Sequence, residues 1–367
     1  MNKISAILVP EQFSGRTNGL PRSAGPALGS ATFKNFPEDF KVEEVLGFKP
    51  SGDGVHRLLK VKKNGWNSAD VARHLARLIG CRDMDVGYCG QKDRHAETTQ
   101  YFSIPATTLC EEALSVADWP NGIELISIDI HHRKLKRGYH RGNRFVIRLR
   151  DVDVSADQVD ERLDTLRVNG FANYFGSQRF GRDGRNHERG RRWLDSDVTR
   201  RVPRSSRTRR SMEISALRSM LFNAVLADRL AGGDWLKARP GDLLILDGSN
   251  SLFEAVEPIA PLAERITIGD LHPSGPLWGE PGKLSAAVIE RERTILQQFA
   301  NDLTRFESQR FPMERRPLRA FAEDLQWTWL KQDEIEIAFT LAGGCFATEF
   351  LADVFTLSDR SVNRAVD

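Results

Sequence analysis

Glu336–Leu341 carries the cleanest alternation in the chain, with Ile335, Ile337, Phe339 and Leu341 apolar and Glu336 and Thr340 on the other side. A period of two over this length specifies a strand with one buried face, so the fold must contain a sheet covered on one side. Arg144–Arg150 repeats the pattern, Phe145, Ile147 and Leu149 pointing inward and Arg144, Arg148 and Arg150 outward. Shorter strands are expected at Phe40–Val45, Arg57–Lys62, Gln100–Ile104, Ile123–Ile130 and Gly241–Leu246. A helix should start at Asn67 or Ser68, bury Val71, Leu75, Leu78 and Ile79, and stop at Gly80. Met212–Leu230 and Ala286–Leu303 read as two further amphipathic helices, and the first thirty residues as an irregular lead-in. Strands and helices do not alternate regularly and no repeat is visible, which argues for an α+β fold. At 367 residues the chain outgrows a single hydrophobic core, so two domains are expected.

Composition narrows the function by where the charge lies. The 53 Lys and Arg nearly balance 50 Asp and Glu. Yet His131–Arg150 holds eight cations and no carboxylate, and Arg179–Arg210 holds twelve arginines against four acids. A basic face of this kind suits a polyanion whose phosphates release counterions on binding. Tyr139, Phe145, Tyr174, Phe175, Phe180 and Trp193 are interleaved with these cations, as a stacking surface for bases would require. Apolar runs fall far short of the ~20 residues of a membrane-spanning helix, and there is no secretory signal. Four cysteines without a CxxC argue against a zinc ribbon or a dithiol pair, and read as reduced thiols of a cytoplasmic protein.

Familiar catalytic motifs are absent. There is no GxSxG elbow, no Walker A loop and no zinc-deaminase pattern, while the DxD pairs Asp83/Asp85 and Asp151/Asp153 read as turn residues. What stands out is GQKDRHA (Gly90–Ala96), in which Asp93 lies among Lys92, Arg94 and His95. Neighbouring cations hold such a carboxylate ionised, as a nucleophile or base must be. Taken alone, the same residues are more simply read as a loop salt bridge.

At this segment the chain resembles the tRNA pseudouridine synthase D family. The landmarks run nearly end to end: PEDFKVEEVLGF (Pro37–Phe48), LLKVKKNGWNS (Leu58–Ser68), GQKDRHA, RKLKRG…RGNRF (Arg133–Phe145), NYFGSQRFG (Asn173–Gly181) and GGCFATEFL (Gly343–Leu351). The resemblance implies isomerisation of uridine to pseudouridine in tRNA, at position 13, with Asp93 as the catalytic aspartate and neither metal nor organic cofactor. It implies that Phe40, Asn143 and Phe346 contact the substrate, and that Lys92 holds Asp93 or a phosphate. It also implies a discontinuous catalytic domain with the mixed sheet of pseudouridine synthases, formed by residues 1–169 and 321–367. A family-specific α/β insertion domain, residues 170–320, would carry the Arg179–Arg210 stretch toward the tRNA body. Without the family pattern, Phe40 and Phe346 would read as core residues and Asn143 as a hairpin turn. Arg94 and Arg141 stand where the family commonly has Lys, and Cys345 where Ser is usual. Two other readings compete: an idle RNA-binding protein, which would be free to lose Asp93 and Asn143, and an RNA methyltransferase, which lacks a glycine-rich cofactor loop here.

Overall fold

A computed structural model of the chain describes residues 17–106, 114, 116–195, 204–249, 251–256 and 259–361. In chain order its first half comprises β1 (Gly29–Phe33), β2 (Phe40–Leu46), β3 (His56–Lys63), α1 (Ser68–Ile79), β4 (Gly87–Tyr88), β5 (Glu97–Pro105), β6 (Ile123–His131), β7 (His140–Leu149) and α2 (Ala156–Asn169). There follow β8 (Phe171–Ala172), α3 (Asn186–Asp195), α4 (Arg204–Ala231), β9 (Leu243–Leu246), β10 (Leu252–Glu254), α5 (Ala260–Thr267) and β11 (Leu271–Leu277). The last elements are α6 (Ala286–Ile295), α7 (Ala300–Ser308), β12 (Glu314–Pro317), β13 (Arg319–Ala320), β14 (Glu323–Lys331), β15 (Glu334–Ala342), α8 (Ala347–Ala352) and β16 (Phe355–Asp359).

The chain divides into two compact units. The first holds Leu28–Glu161, Ala322–Gly344 and Phe355–Asp367. It is built on an eight-stranded mixed sheet in the order β14-β15-β7-β2-β5-β3-β6, with β4 against β5. Within it β2 and β5 are parallel, while β7 runs antiparallel to both β2 and β15. The α+β architecture expected from the sequence is what the structure has. Helix α1 forms where its signals lie: the Asn67 side chain accepts the Asp70 N–H at 3.0 Å, and Gly80 closes the last turn at φ 68°. Its Val71, Leu75 and Ile79 pack on Leu59, Val61 and Phe102 of the sheet, forming one core. Ile335, Ile337, Phe339 and Leu341 are buried as the alternation requires, and Phe339 stacks on Phe145 at 5.5 Å.

The second unit holds Met1–Ala27, Arg162–Phe321 and Cys345–Val354. Its core surrounds α4, whose Leu217, Leu221 and Val225 meet Trp278, Leu303 and Phe306. The sheet β10-β9-β11-β12 and the pair β13-β8 complete it. Residues 17–27 and 345–354 cluster here because carboxylates tie them together. Glu349 accepts from Thr17 Oγ1 at 2.8 Å and Arg22 at 2.9 Å, and Asp353 accepts from the Ser23 N–H at 2.7 Å. The single helix expected over Ala286–Leu303 is broken: α6 ends at Ile295 and a 3-10 turn over Gln297–Phe299 precedes α7. The break sends both Leu296 and Phe299 into the core. No helix among the described residues is long and apolar enough to cross a membrane.

Candidate active site

Asp93 lies in the loop between β4 and β5, its side chain 40% exposed. Particular atoms of that loop are anchored. Gln100 Nε2 donates to the Gly90 carbonyl at 2.5 Å, and the Lys92 N–H donates to Ser68 Oγ at 2.8 Å. Lys63 Nζ, itself buried, donates to the carbonyls of Asp93 at 3.0 Å and Trp66 at 2.6 Å. Burial pushes the Lys63 ammonium down to about 8.

The carboxylate itself is held by Lys34. Lys34 Nζ reaches Asp93 Oδ2 at 2.5 Å, while the His95 N–H donates to Oδ1 at 3.1 Å. Burial opposes ionisation of Asp93, but the Lys34 charge and hydrogen bond, with the His95 N–H, outweigh it and keep the carboxyl below its ordinary value. Lys34 follows β1 in a left-handed conformation, φ 59°, with its ammonium 4.6 Å from the centroid of the Phe40 ring. Phe40, 5% exposed, opens β2 and packs on Phe33 and Phe145. The Phe40 ring thus lies against the cation that keeps Asp93 ionised. Sequence reasoning missed Lys34, whose only signal was a lysine a few residues before PEDF.

The Lys92 ammonium meets Asn143 and Glu44, whereas Asp93 is paired with Lys34. Lys92 Nζ donates to Asn143 Oδ1 at 2.6 Å and sits 3.3 Å from Glu44 Oε2. Asn143 is no turn residue. It lies inside β7, paired across to Glu44 on one side and Leu341 on the other. Gly142 before it lets the strands close, since a Cβ there would stand 2.2 Å from the Leu341 carbonyl oxygen. Because an ammonium can only donate, Lys92 fixes the amide with Oδ1 toward itself, which leaves Nδ2 as the donor of the amide. Glu44 is buried, and desolvation raises its carboxyl above its usual value while Lys92 pulls it back.

Glu44, Cys89 and His140 offer ligand atoms within 4.8 Å of one another. The Lys92 ammonium already occupies the Glu44 oxygen, which opposes a metal cation there.

Phe346 belongs to the second unit. It caps α8 and meets Phe175 edge-on at 6.0 Å. Gly176 lies beneath it: a Cβ there would be 3.2 Å from Phe346 Cδ1.

The basic runs are less open than their sequence implied. Arg148 and Arg150 pair with Glu334, and Arg150 also with Asp39. Arg191 grips Asp302 and Arg189 grips Asp183. Arg133, Lys136, Arg137 and Arg144 are exposed. Of the expected stacking aromatics, Phe145, Tyr174, Phe175 and Phe180 are core residues, whereas Tyr139 is 40% exposed and Trp193 lies under Arg210. Arg200 and Arg201 lie outside the described residues.

The sequence profile of tRNA pseudouridine synthase D (TruD) matches residues 26–206 and 202–354. A tRNA pseudouridine synthase D from Xanthomonas axonopodis pv. citri is 39% identical over 356 residues, covering 94% of this chain and 96% of its own. One from Methylococcus capsulatus is 39% identical over 341 residues, covering 91% and 94%. A crystal structure of a Methanosarcina mazei protein assigned to tRNA pseudouridine synthase D superposes with a TM-score of 0.71 at 17% identity, covering 96% of this chain and 98% of that one, and thus shares the fold. With its profile matched along most of its length and its relatives aligned nearly end to end, the chain belongs to the tRNA pseudouridine synthase D family.

Proposed function

We propose that Asp93 is the catalytic group with which this chain isomerises uridine to pseudouridine in tRNA. Membership of the family makes the chain a tRNA pseudouridine synthase; the proposal concerns the residues and the target. The observation that carries it is the Lys34–Asp93 pair, which keeps a partly exposed carboxylate ionised in a loop whose backbone is fixed on both sides. In the reaction the N1–C1′ bond breaks, the uracil turns, a C5–C1′ bond forms, the hydrogen on C5 leaves to solvent as a proton, and N1 takes up a proton from solvent, so that the product is an isomer of the substrate. The Asp93 anion serves either as nucleophile toward C1′ or the ring, or as base toward a ribose proton.

Asn143, presented as a donor by Lys92, suits a uracil carbonyl. Phe346 suits the face of a base taken out of the stack, which repays part of the few kcal/mol of unstacking. Phe40 supports the ammonium of Lys34. Residues 170–320, as the inserted domain, would hold the tRNA body, and the target is read as uridine 13. Mapping pseudouridine in tRNA from cells with and without the gene tests this: loss confined to position 13 is expected, and an unchanged map would overturn it.

A further inference from the structure

In the first unit β6 and β7 are separated within the sheet by β3, β5 and β2, so the connection between them, residues 132–139, must pass three strands. It is pinned along its way. The His132 N–H donates to Ser51 Oγ at 3.1 Å and the Leu135 N–H to Ser103 Oγ at 2.9 Å. Leu135 is buried in one cluster with Leu58 and Cys89, and Lys134 Nζ donates to the Met84 carbonyl. The Gly138 N–H then donates to the Cys89 carbonyl at 2.8 Å, and a Cβ on Gly90 would stand 3.7 Å from the His140 ring. Cys89 precedes Asp93 by four residues, at most ~14 Å of extended chain. The connection thus lies against the segment that leads to Asp93.

What it presents is charge without partners. Arg141, Arg148 and Arg150 of β7 pair with Glu323, Glu334 and Asp39. Arg133, Lys136 and Arg137 are exposed, and no carboxylate among the described residues pairs with them. Tyr139 is exposed too; its ring rests on Phe48, centroids 5.5 Å apart, and Phe48 stacks on His131 at 4.7 Å. Solvated cations alone would need neither an anchored backbone nor a braced aromatic ring. Three cations within five residues, followed by an open ring, match what a single nucleic-acid strand offers, phosphates and an unstacked base. An acidic peptide would supply the charge but not the planar face.

We infer that residues 133–139 are a contact surface for the RNA strand next to the target nucleotide: Arg133, Lys136 and Arg137 take its phosphates and Tyr139 stacks on one of its bases. The inference rests on the reading of Asp93 as the group that meets that nucleotide. Its test measures the affinity of the purified full chain for a tRNA transcript across a salt series. Lys136→Gln combined with Arg137→Gln should weaken binding about tenfold and reduce the magnitude of the slope of log K against log salt by about two. Tyr139→Ala should raise the Kd at least about fivefold with the slope unchanged, whereas Tyr139→Phe, which keeps the ring, should bind like the wild type. All three positions are exposed, and melting curves check that each variant is folded. Unchanged Kd and slope in folded variants would overturn the inference. A smaller slope with Tyr139→Ala silent, or an equal loss of binding to polyglutamate, would overturn the RNA assignment in favour of a general polyanion surface. The measurement needs no turnover: a wild type that binds tRNA through this surface yet never converts it would sink the functional reading and leave the surface standing.

Discussion

Removing Lys92 should expose the cost of the charge it faces. The Lys92 and Glu44 side chains are 7% and 0% exposed, 3.3 Å apart, so Lys92→Met leaves a carboxylate in the core without its cation. Breaking a buried pair in this way costs about 3–5 kcal/mol, and the lower figure applies because the Tyr101 N–H still donates to Glu44 Oε1 at 3.2 Å. Glu44 is already raised above its ordinary 4.5 by burial, and loss of Lys92 raises it further. A carboxyl with a raised folded-state value favours the fold while protonated and burdens it as pH rises through that value. The destabilisation of Lys92→Met should therefore be small at pH 5 and approach ~3 kcal/mol at pH 8, a fall of roughly 6–12 °C in melting temperature. Adding Glu44→Gln should restore most of it, since the uncompensated charge is then gone. Thermal unfolding of wild type and both variants at the two pH values measures this. An equal loss at pH 5 and pH 8, or no recovery in the double variant, would refute the reasoning.

Lys34→Met should move the acid limb of the rate profile to higher pH, because Asp93 loses the cation that holds its carboxyl down; hydrogen release from C5-tritiated tRNA reports it, and a limb left in place would contradict the role. Lys63, brought down to about 8 from 10.5, penalises the fold below pH 8 and is relieved as pH climbs toward 10.5. Lys63→Met should therefore be stabilised relative to wild type at pH 7 by an amount of order 3 kcal/mol, less the lost hydrogen bonds, with the difference shrinking by pH 10; a difference independent of pH would show that Lys63 is not desolvated.

What the sequence disclosed was whatever short-range chemistry decides. The α1 caps at Asn67 and Gly80 and the alternation over β15 are local, and both formed as read. The break between α6 and α7 was hidden because apolar spacing continues through Leu296 and Phe299. Asn143 reads as a turn after glycine until β2 and β15 flank it, and that pairing joins residues from distant parts of the chain. Arg148 and Arg150 look solvent-facing in β7, yet Glu334 and Asp39 meet them from elsewhere in the sequence. Lys34 and Glu44 were invisible for the same reason. A lysine becomes the partner of Asp93 only through a left-handed backbone turn after β1 and the ring of Phe40 beneath it. Asp93 itself was singled out only by the family motif, since a lone aspartate among cations is ordinary.

The most direct measurement is single-turnover conversion of bound tRNA by Asp93→Asn, an isostere that keeps a hydrogen-bonding oxygen but cannot carry the charge. Full binding with no C5 hydrogen released is predicted. Conversion at a rate near that of the wild type would contradict the account at its centre.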